Sequence, residues 1–483
     1  MKWLRLIPAG SSVCVSDWPD QSVARLHPSE LRDRFTGWRR AARLAVPIVL
    51  GAVMALAHEP WVPGFAALML GLVMASLILP LARRRAAWFG WLLGLGYFAV
   101  TLRWIVEPFL VDLARHGWMA PFALILMAGG LALFWALAAW FARWLAGGRP
   151  SVMLWLAVTL TLAELARAYV FTGFPWGMVG YGLIGELADV LFPLFGPHGA
   201  NLFVFGMAGG IAYCLHRGWT LVWPGLVGVL FALIGLNAVT ATTIPQTENT
   251  VRIIQPNAPQ HLKWDPEWMP VFYNRALEQT ASGDVADAVI WPETSVPALL
   301  NYAEPLLSDI SAAARGAPVL AGAQRREGEE YFNSAVLIEG EGIIADVYDK
   351  AHLVPFGEYI PFAHVLTPLG LQVIVDQVAG FAAGDGDGLM QIEGLGLVRV
   401  LICYEGIFAE EIQRGEQRPE ALVIITNDAW FGTGAGPRQH LTQARARALE
   451  QGVPVIRSAN TGISAVIDPR GEVVASLALN AAG

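Results

Sequence analysis

Lysine is nearly absent from this chain. Three occur in 483 residues, Lys2, Lys263 and Lys350, and arginine carries the rest of the basic charge. A lysine inside a motif is therefore more informative here than usual. Cysteine is equally scarce. Cys14, Cys214 and Cys403 are too scattered for a disulfide framework or a metal-ligand spacing, so neither a disulfide scaffold nor a metal or other cofactor is expected. Charged residues make up 15%, against roughly 25% in a soluble globular protein. The formal net charge of −8 argues against a nucleic-acid partner, which would favour a basic patch. A secretory signal is lacking too, because Leu4-Arg5-Leu6-Ile7-Pro8 is too short an apolar core.

What is present is hydrophobicity, at 55% of residues and a mean hydropathy of +0.48. It is concentrated before residue 245. A bilayer core takes about 20 apolar residues as a helix. Seven runs meet that, near 42–58, 64–82, 87–107, 119–142, 151–170, 191–214 and 219–240. Arginines cluster before the first run and after the second, fourth and sixth, as Arg25, Arg32, Arg34, Arg39, Arg40, Arg83, Arg84, Arg85, Arg143, Arg149 and Arg217. The intervening loops hold Arg103, Arg115 and Arg167. The positive-inside rule then predicts a cytoplasmic N-terminus. Seven spans carry everything after 245 to the far side, which is the periplasm in a Gram-negative cell. Residues 1–41 read as a loose cytoplasmic tail and 42–245 as a transmembrane domain. Glu164 and Arg167 sit three apart in the fifth run, where charge is either functional or a structural pair. Gly173-Phe174-Pro175-Trp176 must break that helix and reads as an interfacial segment facing the polar half.

Residues 246–478 have the composition of an ordinary α/β domain. Expected strands are Val251–Gln255, Ala288–Trp291, Val319–Gly322, Ser334–Glu339, Ile343–Tyr348, Leu397–Ile402, Leu422–Thr426, Val455–Ser458 and Ser464–Asp468. Expected helices cover 267–282, 304–315 and 439–451. Nearly continuous apolar strands indicate sheets covered on both faces. The fold class is an α-helical transmembrane bundle followed by an α/β sandwich, with sheets inside and helices outside.

Three strand ends carry polar groups that a buried strand does not need. Pro292 ends the first, and Glu293 projects past it beside Trp291. A carboxylate in such a partly dry place has the raised pKa of a general base, although a loop Glu is more often simply solvated. The second end is Tyr348-Asp349-Lys350, where an ammonium can stabilise an oxyanion or a thiolate. The third is Leu401-Ile402-Cys403-Tyr404-Glu405. Lone cysteines are mostly buried structural thiols. This one leaves an apolar strand into a turn, flanked by Tyr404 and Glu405. There a thiolate can attack an ester or amide carbonyl, and the Tyr404 backbone N–H can join an oxyanion hole. Glu358 and Glu405 read as supports that orient Lys350 or tune Cys403. Asn427-Asp428-Ala429-Trp430-Phe431-Gly432 reads as a loop at the edge of the site.

The order Glu, Lys, Cys on successive strand ends resembles the nitrilase, or carbon–nitrogen hydrolase, superfamily. Together with a preceding helix bundle it looks like the apolipoprotein N-acyltransferase family. Leu353-Val354-Pro355-Phe356-Gly357-Glu358-Tyr359, Asn460-Thr461-Gly462-Ile463-Ser464, Lys263-Trp264-Asp265 and Gly173-Phe174-Pro175-Trp176 match as well. The resemblance implies an αββα nitrilase-like domain with Cys403 as nucleophile, Glu293 as base and Lys350 as oxyanion stabiliser, supported by Glu358. It also implies a phospholipid acyl donor, a thioester on Cys403, and the α-amine of a diacylglyceryl-cysteine lipoprotein as acceptor. The enzyme is then a multi-pass protein of the bacterial inner membrane, with a periplasmic catalytic domain, acting as a monomer. Trp264, Phe356, Trp430 and Trp176 are the candidate contacts to lipid or substrate. The family carries an eighth span after the catalytic domain, whereas here 479–483 reads as a short tail. Two other readings stay open: a membrane-tethered amidase, and a membrane scaffold without catalysis.

Overall fold

The computed structural model describes residues 28–58, 64–185, 189–218, 247–361, 380–415 and 417–483, with Gly225, Gly228, Val229 and Ala232 besides. The expected seventh span, 219–240, thus lies outside the described residues apart from those four positions.

Among the described residues, four helices are long and apolar enough to cross a bilayer: Arg40–His58, Leu113–Ala146, Val152–Tyr169 and Leu191–Arg217. The third expected run is a bent pair, Arg83–Thr101 and Arg103–Leu110, meeting at 64°. The second, Gly64–Ile78, is a shorter apolar helix of 15 residues. Small residues let these helices approach closely. A Cβ on Gly96 would lie 2.0 Å from the carbonyl oxygen of Ile48, and one on Gly90 2.5 Å from that of Trp135. The end of the expected loose tail is ordered. Pro28–Gly37 is a helix whose Phe35 is buried edge-to-face on Phe89.

The described residues of the polar half hold eleven strands in two sheets. The first has the order β1 (Val251–Ile253), β2 (Ala288–Ile290), β3 (Val319–Glu327), β4 (Glu330–Glu339), β5 (Ile343–Asp349). The second runs β11 (Val473–Leu477), β10 (Ser464–Ile467), β9 (Val455–Ala459), β8 (Ala421–Thr426), β7 (Gly396–Ile402), β6 (Leu389–Ile392). β1, β2 and β3 are parallel, as are β7, β8 and β9, with antiparallel strands flanking each set. Ile290, Leu320 and Leu337 of the first sheet meet Val400, Ile402, Val423 and Ile425 of the second in one core. Helices Met269–Ala281 and Glu304–Ala314 cover the outer face of the first sheet, and Ala435–Gln451 covers that of the second. The layers are therefore α, β, β, α.

Nine strands lie where the apolar runs predict them. β6 and β11 are additions: both are edge strands with part-exposed faces, so no continuous apolar run marks them. β3 and β4 extend into a hairpin of Arg325–Glu330, whose charged residues hid it. The expected short tail, 479–483, is packed into the domain: Gln255 N donates to Gly483 O at 2.7 Å and Asn480 N to Thr461 O at 2.9 Å.

The two halves share a core. Tyr404, Ile407, Phe408, Ala446 and Leu449 cluster with the bundle's Trp176, Tyr181 and Phe192. The Tyr404 hydroxyl donates to Gly173 O at 3.3 Å, and Trp176 Nε1 to Gln439 Oε1 at 2.7 Å. The segment after the fifth run thus does face the polar half. Arg167 braces it, donating to the carbonyls of Phe174 and, at 2.9 Å, Trp176, while its other arm is ion-paired with Glu164 at 2.5 Å. This charge pair is a structural clamp.

Candidate active site

Strand direction brings the site together. Glu293 follows β2, Cys403 follows β7 and Asn427 follows β8, all at the C-terminal ends of parallel strands, where α/β sheets present their binding groups. Lys350 follows β5, which two reversals bring back to the direction of β3.

Glu293 is 6% exposed. Its Oε1 accepts from Asn333 Nδ2 at 2.7 Å and its Oε2 from the Asn427 backbone N–H at 2.8 Å. Gly322 makes room for this corner. A Cβ there would lie 2.4 Å from Thr294 N and 2.5 Å from Glu293 Cα. Lys350 is 1% exposed and lies 2.9 Å from Glu358 Oε2 and 3.8 Å from Glu293 Oε1. Burial works against its charge, but the carboxylates of Glu358 and then Glu293 outweigh it and hold its pKa above the ordinary lysine value. The ammonium is thus a fixed charge. Glu358 is fixed in turn by Asn333 Nδ2 at 3.1 Å and the Val354 N–H at 2.7 Å.

Cys403 opens a short 3-10 turn with φ of +51°. A side chain in this left-handed region is strained and is held there by its surroundings. The thiol is buried, which pushes its pKa up. Glu293 adds to the rise, while Lys350 and a hydrogen bond from Thr426 oppose it. At rest the sulfur therefore keeps its proton. Glu405 ties the strand ends together. Its Oε1 accepts from Tyr348 Oη at 2.7 Å and Ala351 N at 2.8 Å, and its Oε2 from Ile402 N at 2.7 Å. It is a brace between the lysine-bearing and cysteine-bearing ends. Beneath the turn, Asp428 pairs with Arg457 at 2.5 Å and His440 at 2.9 Å.

Glu293, Lys350, Cys403 and Glu358 therefore converge, with Glu405 behind them and Tyr404 next to the thiol on the side of the helix bundle. Of the aromatic candidates, Trp264, Phe356 and Trp430 are 44%, 68% and 39% exposed. Trp176 differs. It is 1% exposed, packed on Trp104 and Phe431 between the halves, so it is a wedge and not a surface ring. Two contributors were missed. Asn333 bridges both glutamates, but an Asn in mid-strand carries no motif. Lys263 donates to Glu293 O at 3.1 Å, and its signal was the scarcity of lysine itself. The loop after β8 is closer to the chemistry than an edge, because Asn427 binds the carboxylate of Glu293.

The αββα sandwich whose strand ends hold this buried carboxylate, ammonium and thiol matches the carbon–nitrogen hydrolase family over residues 243–483. Residues 50–210 match the apolipoprotein N-acyltransferase N-terminal domain. Over 482 residues the chain is 38% identical to the apolipoprotein N-acyltransferase of Allorhizobium ampelinum, covering 92% of this chain and 89% of that one. It is 37% identical to the proteins of that name from Brucella suis, at 93% and 89% coverage, and Caulobacter vibrioides, at 91% and 87%. The chain belongs to the apolipoprotein N-acyltransferase family, and it is a membrane protein.

Proposed function

We propose that this acyltransferase moves an acyl chain from a phospholipid to the α-amine of a diacylglyceryl-cysteine lipoprotein, through a thioester on Cys403. Glu293 takes the thiol proton as sulfur attacks the ester carbonyl. The oxyanion faces the Lys350 ammonium and the Tyr404 N–H. The C–O bond breaks, Glu293 returns the proton to the leaving alkoxide, and lysophospholipid departs. The neutral amine of the lipoprotein then attacks the thioester, its proton passes to Glu293, the C–S bond breaks, and the thiolate is reprotonated. Both half-reactions use one base and one oxyanion site, so ping-pong kinetics follow.

The observation that carries this reading is the meeting of Glu293, Lys350 and Cys403 at one end of the sandwich, joined to an apolar helix bundle through a shared core. Both substrates keep their chains in a bilayer, so the site must stand at its surface. The exposed rings of Trp264, Phe356 and Trp430 suit the headgroup region, where aromatic side chains concentrate. The tether favours acyl transfer over hydrolysis of a small amide, which needs no membrane anchor. We place the protein in the bacterial inner membrane as a monomer, with residues 246–478 in the periplasm and the spans within 42–245. The test is transfer from a labelled diacyl phospholipid to a diacylglyceryl-cysteine peptide. Transfer with release of lysophospholipid is expected. Release of free fatty acid or ammonia alone would indicate a hydrolase, and neither product a scaffold.

A further inference from the structure

We infer that Lys263 is a second cation of the catalytic centre, a positioning residue whose charge stands beside Glu293 and which anchors the main chain from which that carboxylate projects. This rests on the acyl-transfer reading above and extends it to a residue outside the Glu–Lys–Cys set.

The need for such a cation follows from the charges in place. Lys350 lies 2.9 Å from Glu358 but 3.8 Å from Glu293, so its charge is committed first to the supporting carboxylate. Glu293 receives two neutral donors, Asn333 Nδ2 and Asn427 N. Lys263 arrives from the opposite side, on the turn Pro259–Lys263, whose Lys263 N–H donates to Pro259 O at 2.9 Å. Its ammonium donates to Glu293 O at 3.1 Å and Thr294 Oγ1 at 2.9 Å. Thr294 has φ of +46°, so the chain immediately after the base is held in a strained turn, and the lysine clasps that turn. With Lys263 charged, a second ammonium stands beside the loop that carries Glu293, and Glu293 and Cys403 both favour that charge. Without it, Lys350 has to serve the Glu293 and Glu358 carboxylates and the oxyanion that forms in acylation.

A tie to one carbonyl and one hydroxyl does not require a charge. A neutral amide could make it without the several kcal/mol that burying an ion costs. Yet Lys263 is 7% exposed. The charged and titratable groups that act on it are Glu293, from the loop after β2, and Cys403, from the turn after β7. The helix Met269–Ala281 brings Met269, Phe272 and Tyr273 to the same hollow, with the Tyr273 hydroxyl turned to Leu306 O, and the loop after β9 brings Asn460. Trp264 lies beside it, with the ring centre 5.6 Å from Nζ. Burial in this apolar wall lowers the Lys263 pKa to about 8, with Glu293 and Cys403 opposing the fall. The residue therefore loses its charge at mildly alkaline pH, whereas Lys350 does not.

The experiment follows acylation of Cys403 by intact-protein mass spectrometry. The full chain is used in micelles of a diacyl phospholipid, without acceptor, across acid to alkaline pH. Omitting the acceptor removes the titration of its amine. The wild type is expected to slow above about pH 8, as Lys263 loses its proton. Lys263→Arg keeps a charge throughout, so its rate is expected to hold through that pH. Lys263→Gln keeps a donor but no charge. Its rate at neutral pH is expected to fall about tenfold, and its profile is expected to lack the alkaline limb near pH 8. An unchanged neutral rate in Lys263→Gln, or an alkaline limb retained near pH 8 in either variant, overturns the inference. If Lys263→Gln does not unfold cooperatively on heating, the alkaline limb of Lys263→Arg decides alone. Absence of any adduct in the folded wild type instead overturns the acyl-transfer reading.

Discussion

Asn333 shows how much of the site depends on neutral groups. One side-chain amide donates to Glu293 Oε1 and Glu358 Oε1, so it fixes both carboxylates beside Lys350 together. Asn333→Leu strips a donor from the buried carboxylate of Glu293 and the half-buried one of Glu358, at about 1–3 kcal/mol for a buried group left unsatisfied. The expected result is acylation of Cys403 slowed by at least about tenfold, with a lower melting temperature; an unchanged rate would remove Asn333 from the account. Asp428 governs acid stability at the same scale. Burial works to raise its pKa, but Arg457 and then His440 prevail and hold the carboxyl well below the ordinary range. Its contribution is therefore complete above the ordinary carboxylate pKa of about 4, and is lost as pH falls below that value. Asp428→Asn is expected to flatten the dependence of unfolding free energy on pH over that acid window. It should also cost about 3–5 kcal/mol at neutral pH, because Arg457 is left buried and unpaired. Urea titrations at two pH values measure both effects.

Among the elements, the helix Val152–Tyr169 and the segment behind it link the bundle to the catalytic half. Glu164 and Arg167 are fully buried, and Trp135 Nε1 donates to Glu164 at 2.8 Å. Breaking such a pair costs about 3–5 kcal/mol, whereas replacing both members with apolar residues costs less or nothing. Glu164→Gln is expected to lower the melting temperature in detergent more than the double change Glu164→Leu with Arg167→Met. The reverse order would mean that the charges serve something beyond the clamp. The central strands were legible because β2, β8 and β9 are buried along their whole length and read as apolar runs. β6 and β11 were not, since an edge strand needs no such run. The bend after Thr101 was equally hidden, because its apolar residues continue through it. In the site, the ionisable residues at strand ends stood out against apolar neighbours. Asn333 and Asn427 did not, since what they do depends on strand pairing and on a backbone N–H. Trp176 reads the same in sequence whether it meets lipid or protein, and packing alone decided.

At the scale of the molecule, the helix bundle explains why a carbon–nitrogen hydrolase domain can serve lipids. The bundle and the sandwich share a core through Tyr404 and Phe408, so the turn carrying Cys403 is held against the bundle. Arginine placement predicts that the sandwich lies outside the cytoplasm, and Ser282, exposed after the helix Met269–Ala281, can report on that. In spheroplasts, Ser282→Cys is expected to react with a membrane-impermeant maleimide without permeabilisation. Labelling only after lysis would reverse the orientation. The central claim is that Cys403 carries the acyl chain, and intact-protein mass spectrometry after incubation with a diacyl phospholipid tests it most directly. The account predicts a mass increase of one acyl group, mapped to Cys403, absent in Cys403→Ala and discharged by a diacylglyceryl-cysteine peptide. A folded wild-type protein that transfers acyl chains with no adduct at Cys403, or a Cys403→Ala variant that transfers as well as the wild type, would contradict it.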